Sequence, residues 1–420
     1  MHSRVALIAA IVAAGTTAAV RGQLTERPLT GGLGHPAIEY NTRPTHDLVA
    51  ELSRRVESGE TRLPFDEVSG YLRPVLDALQ VPIESQILVM SKTGVQGLHT
   101  GPANPRAIYF TDAVTIGFIR GAPLLELAVQ DPEQGVIFYT IDQKPQATPV
   151  VERRQACLSC HLVYSTLHVP GMLARSVFMA PDGLPLGQFG SYDADDRTPF
   201  RRRWGGWYVT GSDGAMPHLG NTVVTDREKR ETVVSDSTLH RIPPGGFDKA
   251  GYPSANSDIA ALMVFQHQSH MTNLITRVGW ESRIAASEDH LDLARGPLRD
   301  TVTELVDYLL FTDEQPLTAA IRGASGFAEK FSARGPADSR GRSLRQLDLE
   351  HRLLRYPCSY MIYSASFRAL PPPVRAAIYG RMTELLSGRD ASPKYARFTD
   401  TDRHAVLEIL RDTLPDFPAP

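Results

Sequence analysis

Short apolar runs separated by turn residues fill the stretch from residue 85 to residue 141. The turn residues include Gly101-Pro102, Gly121-Ala122-Pro123 and Asp131-Pro132, and such clusters between β-branched and aromatic runs are typical of strands. The connections are too short to contain crossover helices, so we predict a mainly antiparallel sheet. The predicted strands are residues 87–90, 107–111, 114–119, 124–129 and 136–141, with a later hairpin between 174–180 and 186–192.

Apolar residues at three- and four-residue spacing predict helices on both sides of this sheet. The predicted helices are residues 47–58 and 66–79 before it, and 258–284, 297–311, 344–355, 373–386 and 401–410 after it. We therefore predict an α+β fold, in which an antiparallel β-meander region is followed by a helical C-terminal domain. The predicted boundaries are a signal peptide at 1–22, an extended arm at 23–44, an α+β domain at 45–255 and the helical domain at 256–420.

The first 22 residues have the form of a secretory signal peptide. A short basic start with Arg4 is followed by ten apolar residues, Val5 to Ala14, and then by small residues. Ten apolar residues are too few to span a bilayer as a helix, and the order of the three parts is that of an export signal. We therefore expect a periplasmic or otherwise exported protein with no membrane span after signal removal.

The 420 residues carry a net charge of −3, with ordinary hydrophobic and charged fractions. Removal of the signal peptide takes away Arg4 and Arg21 and no acid, so the mature chain is more acidic still. An acidic chain repels the phosphate backbone, which argues against nucleic acid as a partner.

Cys157-Leu158-Ser159-Cys160-His161 is the motif with the most specific chemistry. In a CxxCH, each thiol can bond to one vinyl group of a haem, and the adjacent histidine supplies an axial nitrogen to the iron. The sequence therefore predicts one covalent haem c, bound through Cys157 and Cys160 with His161 as metal ligand. Because haem c is attached after export in bacteria, the motif and the signal peptide both predict an exported, periplasmic-type location.

The cysteine pair has two other interpretations. A thioredoxin-like dithiol needs a strand–helix context, and a structural zinc site needs a second ligand pair. The only other thiol, Cys358, lies about two hundred residues away in a mostly apolar stretch. We expect Cys358 to be a buried, inert thiol, while an iron ligand or a reactive thiol remains an alternative.

The second axial ligand of the iron decides between functions, and several residues are candidates. Met172 is close to the motif, and the long predicted helix carries His267 and His270 on one face together with Met263 and Met271. The predicted metal ligands are His161, Met172, His267 and His270, with His168 and His218 as lower candidates and an empty or water-filled site as the alternative. Arg201–Arg203, or Arg153, Arg154 and Arg175, are candidates to pair with the haem propionates.

The CxxCH and the signal peptide resemble those of c-type cytochromes. The resemblance covers the attachment motif alone, because a small cytochrome c is mostly helical and carries its motif near the start, whereas here the motif follows a β-rich region. Strand order also resembles, more distantly, that of exported PAS-like haem sensor domains.

These features predict periplasmic electron transfer, with a redox partner protein or a small-molecule substrate. The alternatives are a haem-dependent oxidoreductase, such as a peroxidase or a small-substrate oxidase or dehydrogenase, and a haem-based sensor or binding protein. An enzyme would need an open distal site and an acid–base residue there, for which His168, His218 and His270 are candidates.

Overall fold

The computed structural model describes residue 29 and residues 32–226 and 239–418. The predicted signal peptide at 1–22 lies outside the described residues. Of the predicted arm at 23–44, residues 32–44 are described, and Ile38 and Tyr40 are buried against the sheet domain. The α+β class is confirmed, since a seven-stranded antiparallel sheet precedes a helical C-terminal region.

The strands of the central sheet are β1 (Ile87–Val89), β2 (Arg106–Phe110), β3 (Val114–Phe118), β4 (Leu124–Asp131), β5 (Gly135–Asp142), β6 (Val151–Arg153) and β9 (Trp207–Tyr208). Their order is β6-β5-β4-β3-β2-β1-β9, and every neighbouring pair is antiparallel. Strands β1 to β5 form the predicted meander, and β4 pairs with β5 over eight residues, from Leu124–Asp142 to Asp131–Gly135.

Two small sheets complete the β structure. The predicted hairpin forms from β7 (Arg175–Val177) and β8 (Ser191–Asp193), with an additional bridge between Met179 and Pro185. The other pair is β10 (Thr222–Val224) and β11 (Leu239–Arg241).

The two faces of the central sheet have different neighbours. Along β4, Leu125, Leu127 and Val129 are buried with the first two helices, whereas the alternate residues, such as Glu126, are half-buried on the opposite face. This alternation is the period of two expected for a strand. The CxxCH segment packs on the half-buried face, since His161 contacts Phe138, which lies opposite Ala128 on that face.

Nine α-helices are assigned within the described residues. They are α1 (Leu48–Glu57), α2 (Leu72–Ala78), α3 (Leu158–His161), α4 (Ile259–Ser287), α5 (Gly296–Leu309), α6 (Phe327–Ser332), α7 (Ala365–Arg368), α8 (Pro372–Leu386) and α9 (Asp400–Thr413). The long helix α4 is buried along most of its length, and it joins the two large cores: Phe265 packs among the C-terminal helices and Trp280 packs beneath the sheet. None of the described helices is long and apolar enough to cross a bilayer.

The predicted helix at 344–355 is wrong. This segment folds back on itself, with Leu349 at φ +59° and the Asp348 and Leu349 amides bonded to the carbonyls of Leu353 and Arg352. The Asp348 carboxylate accepts the amide hydrogens of Glu350 and His351. Such local side-chain bonds compete with the hydrogen bonds of a helix. Leu349, Leu353 and Leu354 are buried although the segment is not helical.

The predicted helix at 66–79 is shorter than expected for the same reason. The Asp66 carboxylate accepts the amide hydrogens of Val68 and Ser69, so the first residues form a turn, and α2 begins only at Leu72. Pro74 then lies in the first turn of α2, where its missing amide hydrogen costs nothing.

Candidate haem attachment site

The two cysteines of the CxxCH lie on one short helical turn at the end of the central sheet. The pairing of β6 with β5 ends where the Arg154 amide donates to the Phe138 carbonyl. The backbone then continues through a 3₁₀ segment into α3. Leu158 points into the core beneath the sheet, which leaves Cys157 half-buried and Cys160 exposed. Both thiols are free, so both are available for bond formation.

The ring of His161 is held by one hydrogen bond and one aromatic contact. Its Nδ1 lies 2.9 Å from the carbonyl oxygen of Gly171, and its ring centroid lies 4.7 Å from that of Phe138 on β5. Since a carbonyl only accepts, Nδ1 carries the hydrogen, and Nε2 keeps its lone pair. Burial lowers the pKa of His161, which favours the neutral imidazole that a metal ion binds.

Charged groups flank the motif. Arg106 and Glu126 form an ion pair on the half-buried face of the sheet, with 3.4 Å between Nη1 and Oε2, and both act electrostatically on His161. Burial, with a contribution from Glu126, raises the pKa of the Cys157 thiol, while Arg154 opposes that rise. Arg175 also acts on His161 and is paired with Asp193.

The arginines predicted to pair with the haem propionates fall into two groups. Arg154 and Arg175 lie close enough to the motif to influence it electrostatically. Arg203 is buried and donates to the carbonyls of Thr198 and Asp196, and Arg153 donates to the carbonyl of Tyr40. The structure thus brings Arg154 and Arg175 to the motif and engages Arg203 and Arg153 in backbone contacts.

A cavity of about 180 Å³ lies beside the loop that follows the motif. Leu167, Met172 and Leu274 give it an apolar part, and Asp195, His270 and Glu304 give it a polar part. This volume is below the range of pockets that enclose a drug-sized ligand. The free thiols of Cys157 and Cys160 and the neutral ring of His161 would hold a covalent haem, and the lining of this cavity contains none of the three.

The predicted second ligands occupy very different settings. Both ring nitrogens of His267 are engaged: Nδ1 is 2.6 Å from Asp196 Oδ2, and Nε2 is 2.7 Å from Ser359 Oγ. In His270, Nε2 lies 2.8 Å from an Arg197 nitrogen and must accept its hydrogen, because arginine has no acceptor. In this arrangement neither Nε2 is free to bind iron.

Met172 is half-buried and lines the cavity. It directly follows Gly171, whose carbonyl contacts the Nδ1 edge of His161, whereas iron would bind at Nε2 on the opposite edge. Met172 is therefore the next residue after the one whose carbonyl orients His161.

Met263, Met271, His218 and Cys358 are all buried. Met263 and Met271 are buried in the helical core, and His218 contacts Asp213 through Nε2 and accepts the Gly220 amide hydrogen at Nδ1. Cys358 is fully buried, and burial raises the pKa of its thiol well above the usual range, which is the setting expected of an inert cysteine.

The contacts of His267 form an Asp196–His267–Ser359 chain that the sequence analysis did not identify. The arrangement resembles one that activates a serine nucleophile. However, His267 and Ser359 have no exposed surface, and the ring of His267 is stacked between Tyr308 and Phe311. We therefore interpret the chain as a structural link between α4 and the segment before α7.

Glu314, close to this chain, provides a test by pH. Burial, with a contribution from Asp196, raises its pKa to about 8 from 4.5. Folded protein keeps this proton up to about pH 8, whereas unfolded protein loses it near 4.5, so stability from this group is lost as pH rises between the two values. The free energy of unfolding should fall by up to ~1.4 kcal/mol per pH unit in this window.

The Glu314→Gln variant stays neutral and should lack that decline. Urea unfolding of both proteins at pH 5, 6.5 and 8 measures the difference. A constant difference between them over the three pH values would contradict the assignment.

Within the described residues, no group of three or more His, Cys, Asp or Glu side chains is arranged to hold a bare metal ion. A haem iron does not need such a group, because the macrocycle supplies four nitrogens and the protein only the axial ligands. No protein-family model, curated protein or solved structure matches this chain. The functional argument therefore depends on the residues of the site.

The contacts that support the predicted site residues were not predicted from the sequence. Gly171 and Asn273 hold His161 and Met172, and Arg197 fixes His270. Only the Pro170-Gly171 turn gave a local signal, because Asn273 is 101 residues from Met172 in sequence and Arg197 is 73 residues from His270.

Proposed function

We propose that this chain binds one haem c through Cys157 and Cys160, with His161 as an axial ligand, and transfers electrons in an exported compartment. The observation that carries the proposal is the Nδ1 hydrogen bond of His161 to the Gly171 carbonyl. A metal-binding histidine commonly donates its second ring nitrogen to a backbone carbonyl, which fixes the tautomer and directs the other nitrogen at the metal. The bound haem would supply a one-electron ferric/ferrous couple.

The exposure of the attachment turn supports electron exchange with a partner. Cys160 is exposed, and the nearby Tyr164 keeps 56% of its surface accessible. A group attached at Cys160 would have an edge near the surface, where a redox protein or a small donor can approach. Residues 1–22, with the form of an export signal, support an exported location.

A haem-dependent oxidoreductase acting on a small substrate is the second candidate, and the cavity favours it. Met172 lines this cavity, and the Nε2 atoms of His267 and His270 are engaged by other side chains. The cavity wall also contains His270, which Arg197 fixes as a neutral acceptor at Nε2, while Asp195 and Glu304 balance the charge of Arg197. Such a wall can bind a small polar molecule and exchange protons with it.

The test is to express the full chain, with residues 1–22, in bacteria that attach haem c after export. Absorption spectra of the ferric and ferrous protein are then recorded with and without carbon monoxide. A low-spin spectrum that carbon monoxide does not change supports the electron-transfer proposal. A high-spin ferric form that binds carbon monoxide rapidly supports the second candidate, and protein without covalent haem contradicts both.

A further inference from the structure

Two buried side chains of α4 hold the loop between His161 and Met172. Asn273 Oδ1 accepts the Met172 amide hydrogen at 2.9 Å, and Asn273 Nδ2 donates to the Met172 carbonyl at 2.7 Å. One turn further along α4, Arg277 donates to the Leu167 carbonyl at 2.8 Å. The helical region therefore contacts this loop through paired polar bonds, in addition to apolar packing.

The amide of Asn273 also lies against Gly171. A Cβ atom at Gly171 would be 2.2 Å from Asn273 Oδ1, so only glycine fits here without a shift. Gly171 in turn makes two bonds with His161: its amide donates to the His161 carbonyl at 3.0 Å, and its carbonyl accepts from Nδ1 at 2.9 Å. Gly171 thus contacts both the Asn273 side chain on α4 and the ring of His161.

We propose that Asn273 is a positioning residue that fixes the Gly171 carbonyl against His161 and thereby sets the reduction potential of the haem. This inference depends on the proposed haem attachment. Helix α4 would then serve both the redox site, through Asn273, and the core of the C-terminal helical region.

The physical reason is the effect of a hydrogen bond on ligand basicity. Donation from Nδ1 makes the imidazole a stronger electron donor at Nε2, and a stronger donor stabilises ferric over ferrous iron. If the Gly171 carbonyl moves away, this bond weakens, ferric iron loses stabilisation, and the reduction potential rises.

The matched pair of variants is Asn273→Ala and Asn221→Ala. Asn273→Ala removes both bonds to Met172 without adding a charge, which would itself shift the potential. Asn221 makes the same two bonds to another loop: Oδ1 accepts from the Val209 amide at 2.9 Å, and Nδ2 donates to the Val209 carbonyl at 2.8 Å. Both asparagines are buried, so both variants should lose stability.

The potential distinguishes the two variants. In a redox titration of the haem-loaded full chain, Asn273→Ala should lower the ferric-to-ferrous ratio at fixed applied potential about tenfold, a rise of about 59 mV for a one-electron couple. Asn221→Ala should leave the potential at the wild-type value while lowering the urea midpoint.

A wild-type potential in Asn273→Ala would mean that Asn273 has a structural role only, and the inference would fail. If Asn273→Ala does not accumulate, Asn273→Ser is titrated instead, with the same direction expected and an unchanged potential counting against the inference. Wild-type protein that acquires no haem would overturn the proposed function, and this outcome is separate from an unchanged potential in a haem-loaded variant.

Discussion

Replacing both Cys157 and Cys160 by alanine should abolish covalent haem attachment completely. Each thiol can form one thioether bond, so the double variant retains none, while each single variant retains one. The fold should survive, since Cys160 is exposed and Cys157 is half-buried on a short surface helix. Intact mass and haem staining after denaturation measure the result: the wild-type mass should exceed that of the polypeptide by one haem, and the double variant should show no excess.

Cys358→Ala is the matched control. It removes a thiol that is fully buried within the helical core, far from the motif in sequence. This variant should keep covalent haem at the wild-type stoichiometry and show only a reduced unfolding midpoint, because a small cavity is left in the core. Haem retained in the double cysteine variant, or lost in Cys358→Ala, would contradict attachment at the CxxCH.

The parts of this protein that could be predicted from sequence are those with a local cause. The strands from β2 to β5 follow from short apolar runs between turn residues, and their antiparallel pairing follows from short connections. The position of α4 also follows from a local pattern, because twenty-nine consecutive residues carry no proline and begin after a capping Asp258. The attachment motif is local as well, being five adjacent residues.

The errors arose where a polar side chain competes with a regular backbone. Asp66 and Asp348 each accept nearby amide hydrogens, which shortened one predicted helix and prevented another. Leucines at helical spacing pointed to a helix at 344–355, but burial of Leu353 and Leu354 needs no helix. The apolar spacing alone did not distinguish these two outcomes.

The candidate second ligands illustrate a further limit. His267 and His270 are three residues apart on one helical face, as predicted, but their partners come from distant parts of the chain. Asp196 and Ser359 engage His267, and Arg197 engages His270. The availability of a ring nitrogen for iron is decided by these tertiary contacts, which helical spacing does not contain. The occupant of the distal position therefore stays a prediction for the carbon monoxide experiment.

The largest expected effect on stability is at Asp258, the residue that caps α4. One carboxylate oxygen accepts the amide hydrogens of Ala260 and Ala261, and the other accepts from the amides of Ala324 and Ser325 and from the Ser325 hydroxyl. The carboxylate is fully buried. Asp258→Ala should lower the free energy of unfolding by about 3–4 kcal/mol, because it removes a helix cap and leaves buried amides without an acceptor.

Thr399→Ala is the control for an ordinary cap. Thr399 is exposed, and its hydroxyl accepts the Asp402 amide hydrogen and donates to the Asp402 carboxylate at the start of α9, so its loss should cost about 1 kcal/mol. Urea unfolding of both variants at one pH gives the comparison, and equal losses would contradict the role assigned to Asp258. Because α4 also carries Asn273 and Arg277, a loosened helix start should lower the yield of haem-loaded protein in Asp258→Ala but not in Thr399→Ala. The Asp258 cap would then contribute both to the stability of α4 and to the geometry of the attachment site.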